Sequence, residues 1–116
     1  MEQKLNVFTV RTLGNHKKCW YCGADGETTA DHFWPKSLGG RLKVRACAWC
    51  NRLKADRTPL EWITRIDYML AKCKAGKGCK GKDFIHSVCP AGCKHRLKLL
   101  RMRLATLTLW ERCEPV

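Results

Sequence analysis

Apolar residues along the chain follow two rhythms, one typical of strands in the first half and one typical of helices in the second. Residues 5–12 mix β-branched and aromatic side chains in a loose alternation, which predicts a short strand or an extended arm. Between Leu42 and Ala46 every second residue is apolar, so this segment is predicted to be the returning strand of a hairpin over 28–46. Pro35 and a Gly-Gly pair suit the long turn of that hairpin.

Helical spacing begins after the second cysteine pair. A first helix is predicted to start at Asn51, and residues 58–61 have the Thr-Pro-Leu-Glu form of a capping box, which opens a second helix over about 59–72. From about 94 to 112, leucines recur every three or four positions among basic residues, which predicts a basic amphipathic helix. Its apolar stripe is formed by Leu97, Leu100, Leu104 and Leu107.

The charge balance points to a polyanionic partner. The chain has 116 residues, enough for one domain, and a formal net charge of +13 from 23 Lys and Arg against 10 Asp and Glu. Nucleic acid is the first candidate, and the alternative is a basic surface that only keeps the protein soluble. No run approaches the roughly 18 apolar residues of a membrane-spanning helix and no signal peptide is recognisable, so we expect a soluble cytoplasmic protein without a membrane partner.

The cysteines fall into patterns typical of metal binding. Nine are present, and the odd count together with two Cys-x-x-Cys pairs favours metal over a disulfide framework, which implies a reducing compartment. The pairs are Cys19 with Cys22 and Cys47 with Cys50. Each pair of close thiolates supplies two corners of a tetrahedron, so the four are predicted to hold one structural zinc ion.

A second, irregularly spaced cysteine group follows in a segment rich in Gly and Lys. Reduced thiols in such a loop have few other uses, so a second zinc site is predicted, with His86 or His95 as substitute ligands. The irregular spacing favours the alternative that no second metal binds. The members of this group are Cys73, Cys79, Cys89 and Cys93.

Three residues beside the first two cysteine pairs carry the candidate chemistry. Hydrolysis of a phosphodiester needs an activated water and neutralisation of charge at the phosphate. His32 titrates near neutral pH and can take a proton from water, while Asp31 and Asn51 offer oxygen atoms of the kind that Mg²⁺ or Mn²⁺ prefers. Plainer alternatives are that His32 is a buried ring bonded to a backbone carbonyl and that Asn51 only caps a helix.

These residues stand in an order that resembles the zinc-bearing HNH endonuclease family. The pattern is Cys-x2-Cys, then Asp-His-x2-Pro-x-Ser-x-Gly-Gly, then Cys-x2-Cys-Asn-x2-Lys, and it covers residues 19–54. Nothing beyond residue 62 contributes to it. The matching residues are Cys19, Cys22, Asp31, His32, Pro35, Ser37, Gly39, Gly40, Cys47, Cys50, Asn51 and Lys54.

The resemblance implies an α+β fold in which a small zinc-stapled ββα-metal core, residues 1–62, precedes a basic helical extension, residues 63–116. It implies a metal-dependent DNA endonuclease, plausibly encoded by a phage, in which Asp31 and Asn51 bind Mg²⁺ or Mn²⁺ and His32 is the general base. The chain departs from the family at one point. Many members carry an Asn shortly before the second cysteine pair that braces the histidine loop, and residues 41–46 contain none, which bears on turnover more than on fold.

Basic residues around this pattern are candidates for contacts with the DNA backbone, although a solvated surface explains them almost as well. Trp34 and Trp49 are predicted to pack around the zinc site rather than to stack on bases. The main alternative function is an HNH-derived zinc protein, weak or inactive as a nuclease, that binds DNA or inhibits a host enzyme. Duplex DNA is the expected partner, and charge does not separate it from RNA. The candidate phosphate-binding residues are Arg41, Lys43, Arg45, Lys54, Lys98 and Arg101.

Overall fold

The computed structural model describes residues 5–74 and 94–115, with side chains over 5–72 and 95–115. Within these residues the fold is α+β, as predicted, and consists of one three-stranded sheet and three α-helices. No helix in this part of the chain combines the length and apolar character needed to cross a membrane. The strands are β1 (Arg11–Leu13), β2 (Thr29–His32) and β3 (Leu42–Ala46), and the helices are α1 (Ala48–Lys54), α2 (Pro59–Lys74) and α3 (Lys94–Arg112).

The sheet is built around β3, which lies between the other two strands in the order β1-β3-β2. β2 and β3 pair antiparallel and form the predicted hairpin, and β1 pairs with β3 in parallel. The hairpin turn holds a short 3₁₀ helix, Lys36–Leu38, followed by the two glycines. At Gly40 a Cβ atom would overlap the carbonyl oxygen of Trp34. Only glycine permits so close an approach of two backbone segments.

The two faces of the hairpin differ because successive residues of a strand point to opposite sides. On the inner face every second residue of β3 is fully buried, and the buried Asp31 lies opposite Val44. On the outer face His32 lies opposite Lys43, and both side chains are half-buried. The predicted alternation of β3 is therefore confirmed. Asp31 and His32, which are adjacent in sequence, lie on opposite sides of the sheet.

Helix α1 begins at Ala48, which corrects the predicted start at Asn51. Its N-cap is Cys47, whose sulfur accepts a hydrogen bond from the backbone N–H of Cys50 at 3.4 Å. The first N–H groups of a helix need partners from outside it, and here the cysteine pair supplies one. The Cys-x-x-Cys segment is therefore the first turn of the helix rather than a separate knuckle before it.

Helix α2 opens on the predicted capping box. The Thr58 N–H donates to the Glu61 carboxylate at 2.9 Å, and the Glu61 N–H donates to the Thr58 hydroxyl oxygen at 3.3 Å. Its apolar side, with Trp62 and Met69 fully buried, joins one hydrophobic cluster with residues of β3 and α3. The predicted boundary at residue 62 falls inside α2, and residues on both sides of it share this core.

Helix α3 has the predicted bounds but buries the other side. The predicted stripe is largely exposed, since Leu97 is 58%, Leu100 43% and Leu104 67% accessible to solvent. At roughly 100° per residue the exposed and buried stripes lie on nearly opposite sides of the helix. Both stripes have helical spacing, and packing against α2 selects the one with fewer leucines. The buried stripe consists of His95, Leu99, Met102, Thr106 and Leu109.

Candidate zinc centre and basic sheet face

The four cysteines of the two Cys-x-x-Cys pairs come together as predicted. Their sulfur atoms all lie within 4.8 Å of one another, and the Sγ atoms of Cys22 and Cys47 are 3.8 Å apart. Sulfurs bound tetrahedrally at about 2.3 Å from one zinc ion are themselves about 3.8 Å apart, so the spacing fits zinc. Within the described residues this is the only group of three or more His, Cys, Asp or Glu side chains arranged to hold a metal ion.

The four sulfurs are close enough to change one another's protonation. The backbone N–H groups of Cys22 and Cys50 donate to the sulfurs of Cys19 and Cys47 at 3.5 Å and 3.4 Å. Hydrogen bonds among the thiols lower the pKa of Cys19, that from Cys22 first, and raise the pKa of Cys22 and Cys50, that from Cys19 first. A bound zinc ion would have to displace the protons of the raised thiols. Three of the four cysteines are buried, which is typical of a closed structural site rather than a catalytic one.

Two tryptophans of this region pack on α3. Trp34 stacks on Trp110 with ring centroids 6.0 Å apart and planes at 9°, and Trp49 meets the ring of His95 edge-on at 6.0 Å. The Nζ atom of Lys98 lies 4.2 Å above the Trp49 ring, within range of a cation–π attraction. These contacts join α3 to the segment that carries the zinc ligands.

Asp31 lies in a buried polar cluster on the inner side of β2. Its Oδ2 atom accepts a hydrogen bond from the Tyr21 hydroxyl at 3.3 Å and lies 3.5 Å from Nζ of Lys54. The residue is 6% exposed, and desolvation raises the pKa of its carboxyl to about 6, although the Lys54 ammonium opposes this shift. The Lys54 ammonium therefore offsets only part of the cost of burying the Asp31 carboxylate.

Lys54 is fully buried, which differs from both surface roles expected for it. Its Nζ atom donates to the backbone carbonyl of His32 at 2.7 Å and faces the Asp31 carboxylate. Burial lowers the pKa of the ammonium, and Asp31 works in the opposite direction. A lysine is buried this deeply only when it has partners. Here it ties the end of α1 to the end of β2 and is not available to a phosphate at the surface.

His32 faces a hollow of about 430 Å³ on the outer side of the sheet. Lys36, Arg41 and Lys43 line the hollow together with both glycines of the turn. Desolvation, then the charges of Lys43 and Lys36, lower the pKa of the imidazole below its ordinary value of 6.5, so the ring is neutral at pH 7. The structure brings His32 together with two of the predicted cations and adds Lys36, which the sequence analysis missed.

The other predicted phosphate-binding residues make contacts within the protein. Arg45 donates from Nε to the Thr28 hydroxyl at 3.1 Å and from Nη2 to the Thr28 carbonyl oxygen. The Arg101 guanidinium packs so closely on Gly23 that a Cβ atom there would overlap it. Together with Lys98 on its tryptophan, these side chains pack against the sheet and α3. The outer face around His32 is therefore the more open cationic surface.

Asn51 approaches β2 from α1, where its Nδ2 atom donates to the Thr29 hydroxyl at 3.0 Å. Thr29 and Asp31 share the inner side of β2 by strand alternation, so Asn51 and Asp31 lie on the same side of the sheet and His32 on the other. The Oδ2 atom of the Asp31 carboxylate is engaged by the buried tyrosine and lysine. A Mg²⁺ or Mn²⁺ ion at this oxygen would have to compete with the Lys54 ammonium.

The second predicted zinc site lies outside the residues whose side chains are described. This holds for Cys73, Cys79, Cys89, Cys93 and His86. The other suggested ligand, His95, is buried against Trp49.

Tyr21 is the inner-face residue that sequence reasoning missed. It is fully buried between two zinc-ligand candidates, and its ring also packs edge-on against Trp62 at 5.8 Å. Desolvation raises the pKa of the phenol, so it remains a hydrogen-bond donor to Asp31. The sequence did not predict the hydrogen bond from Tyr21 to Asp31. The two residues are ten positions apart, and only the folded hairpin brings the Asp31 carboxylate to the Tyr21 hydroxyl.

Comparisons with protein-family models, with curated proteins and with solved structures found no match. The function of the site is accordingly argued from its own geometry and charge.

Proposed function

We propose that the protein is a zinc-stabilised DNA endonuclease of the HNH type that uses His32 as its general base on the outer face of the sheet. The observation that carries this proposal is the hollow in which a neutral imidazole lies among Lys36, Arg41 and Lys43. Three cations around one unprotonated ring suit a phosphodiester, since they attract the phosphate while the ring remains able to take a proton.

The residues of the hollow have different roles in the proposed hydrolysis. The ammonium and guanidinium groups bind the phosphate oxygens and offset the charge that builds up on them during attack. His32 accepts the proton of the attacking water as the water oxygen bonds to phosphorus. The bond from phosphorus to the leaving sugar oxygen then breaks, and that oxygen takes a proton from solvent water at the open hollow. Gly39, which is exposed at the rim of the hollow, places no side chain beside the ring.

The inner face holds His32 in place from behind. The Lys54 ammonium bonds to the His32 carbonyl oxygen, and α1, which carries Lys54, begins within the zinc-binding cysteines. Zinc bound at the four sulfurs would fix α1 to the first cysteine pair and so fix the end of β2. In this way zinc bound at the four cysteines would help to position His32, because α1 and its Lys54 connect the two sites.

The Asp31 carboxylate, the oxygen donor expected for Mg²⁺ or Mn²⁺, is paired with Lys54. A divalent cation at Asp31 would have to displace that ammonium. A nicking assay with and without added divalent cation shows whether cleavage requires the cation. In the proposed mechanism His32 is the general base in either case.

The test is a nicking assay on supercoiled plasmid with zinc-loaded protein, run without divalent cation, with Mg²⁺ and with Mn²⁺. We expect nicking by the wild type and its loss in His32→Ala at equal DNA affinity, measured in parallel by fluorescence anisotropy. His16→Ala is the matched control because His16 is exposed and lies outside the hollow. Equal nicking by His32→Ala and wild type would contradict the assignment of the base.

A second candidate function is a zinc protein that binds DNA without cutting it. The ion pair between Asp31 and Lys54 favours it, since a predicted ligand of the catalytic metal serves instead as a buried structural group. Binding of plasmid with no nicking under any of the three conditions would establish this candidate over the first.

A further inference from the structure

We propose that the exposed leucine stripe of α3 is a docking surface for a partner protein that presents an acidic amphipathic helix. The leucine stripe consists of Leu97, Leu100 and Leu104, continued by the half-buried Leu107. The proposal is independent of the nuclease function, since the stripe belongs to a different element from the His32 hollow.

The leucine stripe is apolar surface that none of the described residues covers. Its first three members are between 43% and 67% exposed, whereas Leu99 and Leu109 on the other side of α3 are fully buried. Beside the stripe lies an open hollow of about 650 Å³, lined mainly by apolar atoms of Trp20, Leu100 and Leu104. Contiguous apolar surface of this kind on a soluble fold typically marks a contact site.

The spacing of the leucine stripe specifies a helix as the occupant. The intervals from residue 97 to 100, 104 and 107 are three, four and three, which is the a and d spacing of a helical seam. Two helices that pack along such a seam interdigitate their side chains over its whole length. The seam is about 15 Å long at 1.5 Å per residue, so three turns of a partner helix would cover it.

The charges beside the stripe specify an acidic occupant. Arg96 and Arg101 lie on opposite edges of the stripe, and α3 has no acidic residue before Glu111. The Arg101 guanidinium also packs on Gly23 but the residue remains exposed, whereas Arg103, on the same edge as Arg96, already pairs with Asp67 at 2.8 Å. A second copy of this chain would bring like charges together, and the outer surface of duplex DNA has no continuous apolar face to cover the leucines. A helix with leucines on one side and carboxylates beside them satisfies both features.

The test measures binding of a synthetic acidic helix to the zinc-loaded full-length protein. The probe is a fluorescein-labelled 22-residue peptide with Leu at a and d positions and Glu at e and g, and the control peptide carries Lys at e and g. Fluorescence anisotropy should give binding of the Glu peptide and none of the Lys peptide in the same concentration range. The double variant Leu97→Gln/Leu104→Gln should weaken binding of the Glu peptide by more than about tenfold.

Leu60→Gln is the matched control, because Leu60 is 57% exposed on α2, away from the stripe. Equal binding by the double variant and the control would overturn the proposal, since the peptide would then recognise positive charge alone. A dimer in sedimentation equilibrium that the double variant abolishes would assign the stripe to a second copy instead. A melting temperature lowered in the double variant but not in Leu60→Gln would assign it to the chain's own packing, and either result overturns the acidic partner.

Discussion

The four-cysteine segment and the helix pair α2–α3 are held by different kinds of contact. Residues 19–54 bring together four sulfurs, one buried ion pair and a phenol, and each depends on the chemical identity of a particular side chain. The helix pair packs apolar side chains such as Met69 and Leu99, and these depend on shape. Loss of one chemically specific group should therefore cost more in the first region than loss of one apolar side chain costs in the second.

Removal of zinc should have the largest effect. Cys47→Ser removes a predicted zinc ligand but leaves a hydroxyl that can still cap α1, and a structural zinc ion contributes roughly 10–16 kcal/mol in small domains, as much as a whole domain's stability. We expect loss of the cooperative thermal transition in circular dichroism and loss of one equivalent of zinc relative to wild type by elemental analysis. Cys113→Ser is the control, since Cys113 lies outside the four-sulfur group. A cooperative transition at the wild-type temperature in Cys47→Ser would contradict a structural role for zinc.

Breaking the buried ion pair should come next. Lys54→Met leaves the Asp31 carboxylate buried without its cation, which should cost about 3–5 kcal/mol in urea unfolding at pH 7. The loss of the ammonium should also raise the pKa of Asp31 above its value of about 6. Adding Asp31→Asn to Lys54→Met removes the uncompensated charge and should recover part of the stability. A double variant no more stable than Lys54→Met would show that the cost comes from packing rather than charge.

The same difference explains what the sequence could predict. The zinc cluster, the hairpin and the capping box of α2 were predictable because each depends on residue type at short spacing, as Thr58 and Glu61 illustrate. The buried role of Lys54 was not, because its partner Asp31 is distant in sequence and only the packing of α1 on β2 joins them. Which side of α3 is buried could not be predicted either. Two stripes of the helix have helical spacing, and the one with more leucines is exposed.

A pair of adjacent leucines sharpens the comparison within the helical region. Leu99 is fully buried and Leu100 is 43% exposed on the opposite side of α3. Leu99→Ala should cost about 2–4 kcal/mol in the free energy of unfolding, because it leaves a cavity against α2. Leu100→Ala should change it by about 0.5 kcal/mol or less. Urea unfolding of the two variants side by side measures both, and equal costs would mean that the leucine stripe is buried in solution.

The smallest predicted effect concerns the charge around His32. Its imidazole has a lowered pKa because of desolvation and then the nearby cations, so the folded state favours the neutral ring. A neutral base is present above that pKa and is lost as pH falls through it, so the acid limb of nicking activity should lie below pH 6.5. Lys43→Gln removes one cation, and the His32 pKa should rise by less than about one unit toward its ordinary value.

An NMR titration of the His32 ring reads this shift directly and does not depend on catalysis. Lys18→Gln is the control, because it removes the same charge from an exposed position outside the hollow, and the exposed His16 ring serves as an internal reference. If Lys43→Gln and Lys18→Gln move the His32 pKa equally, the effect is one of net charge. The cations of the hollow would then not be what keeps the ring unprotonated, and burial alone would have to account for the neutral base.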